Sequence, residues 1–408
     1  MPRPRAKDER AIQVRLNGIP AYGIMLASIA YVIEITTFPM ILNGMAASIG
    51  VDENTAPWLV SVYSVALVIS VVIGGWLGDK LSREVVFAIG TSLFCGSAIA
   101  VLFAQTMDQA LIFRIMQGVG AGLFSPMVPA LLAARKPNDP IAALGFWGML
   151  TGAAAACYPF IASLLTEEFS WHVGWMMVPA AAALALFGLP SPRDVTDYSL
   201  VKDTVAETKE KPRKMGPKVW AIMVYVFLNY GMTTWFIVAL SLTFDGESGS
   251  FTTLGFILFL LWAVFSFGNY IISRIGRRTN IAAFLNIGVI SNLIGIVIFC
   301  GFDASVMTDA LAAIFIGAGM ALNNAPTTDF AFRLSHKAQH GRIASMDIIA
   351  ARLGGALFIL VIPASGLTGF YAAIVATVLS LLLTAYCVRP RKKSSIVTLQ
   401  TDQAYAGR

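Results

Sequence analysis

Apolar runs follow one another along almost the whole chain, separated by short polar links. Each run is about 20 residues long, the length a helix needs to cross a bilayer. The runs fall near 19–43, 56–78, 85–104, 109–133, 141–165, 171–190, 218–243, 251–273, 280–301, 308–332, 343–363 and 366–388, which predicts twelve spans. The longest polar interruption, 191–218, carries Lys202, Lys209, Lys211, Arg213, Lys214 and Lys218 and has no sustained apolar period. It divides six spans from six. The predicted organisation is a tail at 1–18, a bundle at 19–190, a linker at 191–217, a second bundle at 218–388 and a tail at 389–408. The expected fold class is an all-α membrane protein with twelve transmembrane helices in two six-helix bundles.

One link stands out. Gly74 to Glu84 reads GGWLGDKLSRE, with Asp79, Lys80 and Arg83 packed between two apolar runs. A degenerate copy, GNYIISRIGRR, runs from Gly268 to Arg278. There Ser273 stands where Asp79 stood, Arg274 for Lys80 and Arg277 for Arg83. A charged link that recurs at matching places suggests two related halves, an architecture found mainly in secondary transporters.

Composition sharpens this. The 408 residues are 57% hydrophobic and 13% charged, against about 25% charged in soluble domains. The net charge of +6 does not point to nucleic acid, because the bases follow the links. With the N-terminus taken as cytoplasmic, the inner links hold Lys80, Arg83, Arg135, Lys136, the linker bases, Arg274, Arg277, Arg278, Lys337 and Arg342. The outer links hold Asp52, Glu53, Asp108, Glu167, Glu168, Asp245, Glu247, Asp303 and Asp309 and no base. This positive-inside bias supports both the helix count and cytoplasmic termini. The basic N-terminus precedes an apolar run too long for a signal peptide, so that run reads as the first membrane helix. Trp58 and Trp171 near the outer ends, with Trp76 and Trp220 near the inner ends, suit interfacial belts. Cys95, Cys157, Cys300 and Cys387 all lie in apolar runs, which argues against a disulfide framework. With only three histidines and no CxxC, no metal site or cofactor is expected.

Charged groups inside the spans are the candidate chemistry. Glu34 lies within span one, Arg114 within span four and Arg352 near the middle of span eleven, with Asp347 before it. Each costs roughly 2.5–3.5 kcal/mol to insert, so each should face a bundle interior or a wet cavity and have a partner. By rise per residue, Glu34 and Arg114 lie within about 6 Å in depth. They are the candidate proton-coupling residues: protonation of Glu34 would change its interaction with Arg114 and so the relative energies of two conformations. The plain alternative is a static pair that fixes helix packing. Asp329, near the inner end of span ten, reads as a solvated charge.

At these residues the chain resembles the major facilitator superfamily, and more narrowly its drug:proton antiporter branch. The family's first-half link signature falls on Gly75, Leu77, Gly78, Asp79, Lys80, Ser82, Arg83 and Glu84, with Ser82 in place of a glycine and Glu84 reversing a charge. The span-four signature is intact in Arg114, Gln117, Gly118, Gly120 and Gly122. Glu34, Thr36 and Pro39 resemble the family's span one, Trp58 to Tyr63 its span-two opening, and Arg352-Leu-Gly-Gly-Ala its span-eleven element with one residue fewer. The span-five antiporter signature keeps Gly145 and Pro159, but Ala154, Tyr158, Ala162 and Ser163 replace glycines. The resemblance implies the major facilitator fold. It also implies a conformational lock at Gly75, Asp79, Lys80 and Arg83, with Asp79 held by a helix dipole across the half interface.

Candidate substrate-cavity residues are Tyr31, Tyr63, Gln117, Asn229, Tyr230, Trp235, Asn323, Asn324 and Arg352, with Trp262 also at mid-depth. The adjacent amides Asn323 and Asn324 need hydrogen-bond partners in an apolar span. The two arginines with one opposing Glu34 permit a carboxylate-bearing substrate, such as a siderophore or organic acid. They equally permit a broad apolar drug site. The expected function is a proton-coupled exporter of a small organic molecule in the bacterial cytoplasmic membrane, acting as a monomer. The alternative is an uptake symporter for an anionic metabolite. An enzyme is disfavoured by the lack of any nucleophile–base motif, metal spacing or nucleotide-binding loop, and a sensor by the lack of a signalling domain.

Overall fold

The expected spans are helices, and three of them are interrupted. The first half contains α1 (Tyr22–Ser48), α2 (Trp58–Lys80), α3 (Arg83–Val101), α4 (Met107–Phe124), α5 (Pro140–Glu168), α6 (Trp171–Trp175) and α7 (Met177–Leu186). The second contains α8 (Pro217–Thr243), α9 (Phe251–Ile275), α10 (Ile281–Gly301), α11 (Val306–Asn323), α12 (Ala325–Arg333), α13 (His340–Val361) and α14 (Leu367–Val388). This computed structural model describes residues 22–52, 55–81, 83–128, 131–132, 140–189, 215–244, 250–275, 280–335, 340–363 and 367–388. Among them, eight stretches are long and apolar enough to cross a membrane, with α11 and α12 counted as one.

Local chemistry sets the helix ends. The first N–H groups of a helix lack partners in their own turn, and side chains supply them. Thr106 accepts from the Gln109 N–H at the start of α4. Asn280 accepts from Ala282 N at the start of α10, and Ser305 and Thr308 form a reciprocal capping box at α11. Proline sets the breaks. Span ten is interrupted at Asn324, ahead of Pro326 in the first turn of α12, because proline lacks an N–H and restricts the residue before it. The Thr327 hydroxyl contacts the Asn323 and Asn324 carbonyls at 2.6 and 2.7 Å, which satisfies groups freed by the break. Span six is interrupted at Met176, with Pro179 in the turn that follows. The span expected to reach 133 is interrupted after Phe124 by a turn at Ser125 and Pro126, and helix resumes at 127–128 and 131–132.

The charged link is shorter than its sequence suggests. α2 runs through Lys80 and α3 begins at Arg83, so Asp79 and Lys80 belong to a last helical turn. The side chains of Gly75, Asp79 and Lys80 lie outside the described residues, so the expected lock does too, except for Arg83. Trp171 also departs from expectation: it is buried and its ring stacks on His172 at 3.8 Å, so it is no part of an interfacial belt.

The two halves repeat one packing scheme. In the first, Gly118 of α4 meets the Tyr63 carbonyl of α2, and Gly120 meets Gly90 and Phe94 of α3. In the second, Gly317 of α11 meets the Leu261 carbonyl of α9, and Gly319 meets Gly288 of α10. Small residues let helix backbones approach this closely. The halves face each other through α5 and α9, α2 and α13, and α1 and α8. We call the end holding Gly188 and Pro217 the linker end. At the far end Asn43 Nδ2 donates to the Ser241 and Leu242 carbonyls at 2.7 and 3.2 Å. Ser61 Oγ donates to the Ala356 carbonyl at 3.0 Å, and Thr252 N to Glu167 Oε2 at 2.7 Å. These bonds hold the halves together there.

Candidate functional site

Glycine spacing on α4 builds the centre of the site. Gly118 and Gly122 lie four apart, on the face turned to α2, where they meet the Tyr63 and Leu67 carbonyls. Gly120 lies on the face turned to α3. Drawing α2 in this way brings Leu59 and Tyr63 onto Arg114, one turn earlier on α4. Arg114 Nε donates to the Leu59 carbonyl at 3.0 Å. Its Nη1 donates to Glu34 Oε1 at 2.7 Å and to Gln117 Oε1 at 2.6 Å. The guanidinium carbon lies 3.6 Å from the Phe38 ring centroid and 4.3 Å from that of Tyr63, within cation–π range. Glu34 is 0% and Arg114 1% exposed. A buried arginine is thus matched by one charge, two neutral acceptors and two aromatic faces, which offsets its removal from water.

The match is incomplete in one respect. Glu34 Oε2, Tyr63 Oη and Gln117 Nε2 are shielded from solvent, and none makes a hydrogen bond of full geometry among the described residues, although the Tyr63 hydroxyl lies close enough to Glu34 to interact with its carboxyl group.

A second polar group crosses the half interface. Arg352 Nη2 donates to Tyr31 Oη at 2.7 Å, and Tyr31 packs edge-on against Phe124. On the same helix Asp347 Oδ2 accepts from Thr328 Oγ1 at 3.1 Å. Tyr230 Oη donates to Asn324 Oδ1 at 2.9 Å, and Asn324 Nδ2 reaches Asn269 Oδ1 at 3.4 Å. Tyr31, Tyr230, Asn324, Thr328, Asp347 and Arg352 are all partly exposed.

Three expected cavity residues have their polar atoms bonded within the second half. Asn323 is 2% exposed; it accepts from Tyr225 Oη at 2.7 Å and donates to Asn229 Oδ1 at 3.2 Å. Asn229 donates in turn to Ser380 Oγ at 3.1 Å. Trp235 Nε1 donates to the Ile362 and Pro363 carbonyls. These polar atoms serve packing within the second half, because its buried amides find partners on α8 and α14. Asp329 pairs with Arg333 at 2.8 Å on an exposed face. Sequence reasoning missed Phe38, Leu59 and Thr328. Phe38 was findable, since it lies one turn after Glu34 on the same face of α1. The Leu59 carbonyl and Thr328 left no signal.

The altered span-five signature also has a structural reading. Tyr158 points into the first half, where its hydroxyl donates to the Gly174 carbonyl at 2.8 Å. Ser163 faces the other half and packs on Gly255 of α9, so the close approach of α5 and α9 uses a glycine on the partner helix. Among the described residues no group of three or more His, Cys, Asp or Glu is placed to hold a metal ion.

A family model for the Major Facilitator Superfamily matches residues 24–359. The chain is 28% identical over 171 residues to a tetracenomycin C resistance and export protein of Streptomyces glaucescens, covering 41% of this chain and 31% of that protein. It is 26% identical over 256 residues to multidrug resistance protein 3 of Bacillus subtilis, covering 62% and 46%. It is 25% identical over 179 residues to the multidrug export protein EmrB of Escherichia coli, covering 43% and 35%. The matched stretch thus spans about a third to a half of these relatives' length. Among solved structures, a POT family transporter in complex with 5-aminolevulinic acid aligns with a TM-score of 0.70 at 16% identity, over 93% of this chain and 97% of that one. The nucleoside transporter NupG aligns at 0.68 and 14%, over 92% and 98%. The family model covers most of the chain and the helices superpose on solved transporters, so the chain belongs to the Major Facilitator Superfamily and is an integral membrane transporter rather than an enzyme.

Proposed function

We propose that the protein is a proton-coupled exporter of a small organic molecule, either drug-like or a carboxylate metabolite of the siderophore kind. It works by alternating access as a monomer in a bacterial cytoplasmic membrane, with both termini cytoplasmic. The observation that carries this reading is the buried Glu34–Arg114 pair, in which one Glu34 carboxylate oxygen makes no hydrogen bond of full geometry among the described residues. Protonation removes the negative charge opposite Arg114 and leaves the guanidinium to Gln117, the Leu59 carbonyl and two rings. That changes the energy of the state in which α1, α2 and α4 are clamped together, and a population shift follows. Relatives named for resistance and export support the outward direction. The base-free links at one end support the orientation. Substrate contacts are assigned to Tyr31, Tyr63, Gln117, Tyr230, Asn324 and Arg352, and the conformational lock to Gly75, Asp79, Lys80 and Arg83.

The test is transport in proteoliposomes under an imposed pH gradient, with candidate compounds chosen from the gene neighbourhood. The parent protein should move substrate against the flow of protons. Glu34→Gln should insert and elute as a single species yet show no response to the gradient. Transport by Glu34→Gln that still follows the gradient would overturn the coupling role. Substrate moving with the protons would make the protein a symporter.

A further inference from the structure

The Glu34–Arg114 pair accounts for only part of the buried charge. Arg352 and Asp347 sit on one helix, α13, at positions i+5 and i, about 7.5 Å apart along its axis. Among the described residues neither has an opposite charge within 4.0 Å. Each is turned to a neutral hydroxyl on a different helix. Arg352 donates to Tyr31 on α1, across the interface. Asp347 accepts from Thr328 on α12. Tyr230 lies within electrostatic reach of both.

Each neutral partner keeps a free valence. Tyr31 Oη accepts from Arg352, so its own proton is available to the anion that Arg352 would attract. Thr328 donates to Asp347, so its lone pairs are available to a cation that Asp347 would attract. Asp347 Oδ1 is shielded from solvent and has no hydrogen-bond partner among the described residues. Two opposite charges held apart in a membrane interior, each with one neutral partner, are costly to keep. A ligand of one sign would relieve one of them. A ligand with both signs would relieve both.

We infer that α13 carries a charge-separated site for an amphoteric small molecule, with an anionic group on Arg352 and Tyr31 and a cationic nitrogen on Asp347 and Thr328. The inference rests on the transporter reading above and narrows its substrate class. It requires nothing of proton coupling.

The test is equilibrium binding to the full chain in lipid nanodiscs, without any gradient, followed by fluorescence anisotropy. Three xanthene dyes share one ring system and differ in charge. Rhodamine 110 carries a carboxylate and a cationic xanthylium, rhodamine 123 is its cationic methyl ester, and fluorescein is anionic. Rhodamine 110 should bind tightest. Asp347→Asn should weaken rhodamine 110 and rhodamine 123 by roughly tenfold, as expected for loss of one charge-assisted contact, and leave fluorescein unchanged. Arg352→Gln should weaken rhodamine 110 and fluorescein and leave rhodamine 123 unchanged, while Arg352→Lys should recover part of the loss. Elution of each variant as a single species guards against misfolding. Equal affinities for the three dyes, no binding to the parent, or uniform loss in both variants would overturn the site. Failure of gradient-driven transport with intact dye selectivity would count against the coupling reading alone.

Discussion

Glu34 accepts from Arg114 at 2.7 Å through Oε1, while its equally shielded Oε2 makes no hydrogen bond of full geometry among the described residues. A static packing pair would be expected to satisfy both oxygens, because an unpartnered buried acceptor costs about 1–3 kcal/mol. The proposed coupling role of the pair sets what its disruption should do.

Truncating Arg114 leaves Glu34 as an uncompensated buried charge. Arg114→Ala should therefore lose gradient-driven transport and about 3–5 kcal/mol of stability. Glu34→Gln combined with Arg114→Ala should cost less than the sum of the two single changes, since the orphaned charge is gone. Thermal unfolding in detergent reads this, and strictly additive losses would mean the two side chains are energetically independent.

Gly118 has no room for a side chain, because a Cβ there would meet the Tyr63 carbonyl, whereas one at Gly148 meets nothing within 4 Å. Gly118→Val should push α2 from α4 and destabilise by about 1–3 kcal/mol or more. It should also displace Leu59 and Tyr63 from Arg114, so substrate binding falls with stability. Gly148→Val should melt close to the parent. Equal melting temperatures for the two variants would remove the packing role assigned to the motif.

Asn43 bridges the halves at the far end through two carbonyls. Asn43→Ala removes these bonds, each worth about 1 kcal/mol. The far end should open more often, and a reporter cysteine placed there should label about fivefold faster or more. An unchanged labelling rate would show that the interface is held by α5 and α9 without help from Asn43.

Asp79 is assigned to a lock at the opposite end. Asp79→Asn should raise the labelling of cysteines at the linker end and lower it at the far end, the reverse of Asn43→Ala. Identical labelling patterns in variant and parent would argue that the link serves topology only.

Much of the fold was legible because a bilayer allows so few solutions. Backbone groups in hydrocarbon must be paired within the segment, so a run of about 20 apolar residues can hardly be anything but a helix. The breaks at Met176 and Asn324 were harder to see, since Pro179 and Pro326 each lie in a continuous apolar run. The link at Asp79 was read as a loop because its charges interrupt the apolar pattern, yet the helix continues through Lys80.

The site divides in the same way. Sequence alone determined that Glu34, Arg114, Asp347 and Arg352 lie at membrane depth, and depth follows from rise per residue along a helix of known direction. Only the tertiary structure decided which charges meet. Arg114 found Glu34 on α1 because Gly118 and Gly122 let α2 close in beside it, whereas Arg352 reached Tyr31 and left Asp347 to Thr328. Asn229 and Asn323, equally polar by sequence, were absorbed into the second half's packing. Rotation of each helix about its axis decides such outcomes, and that rotation is set by how neighbouring helices interlock, which no single helix's sequence contains.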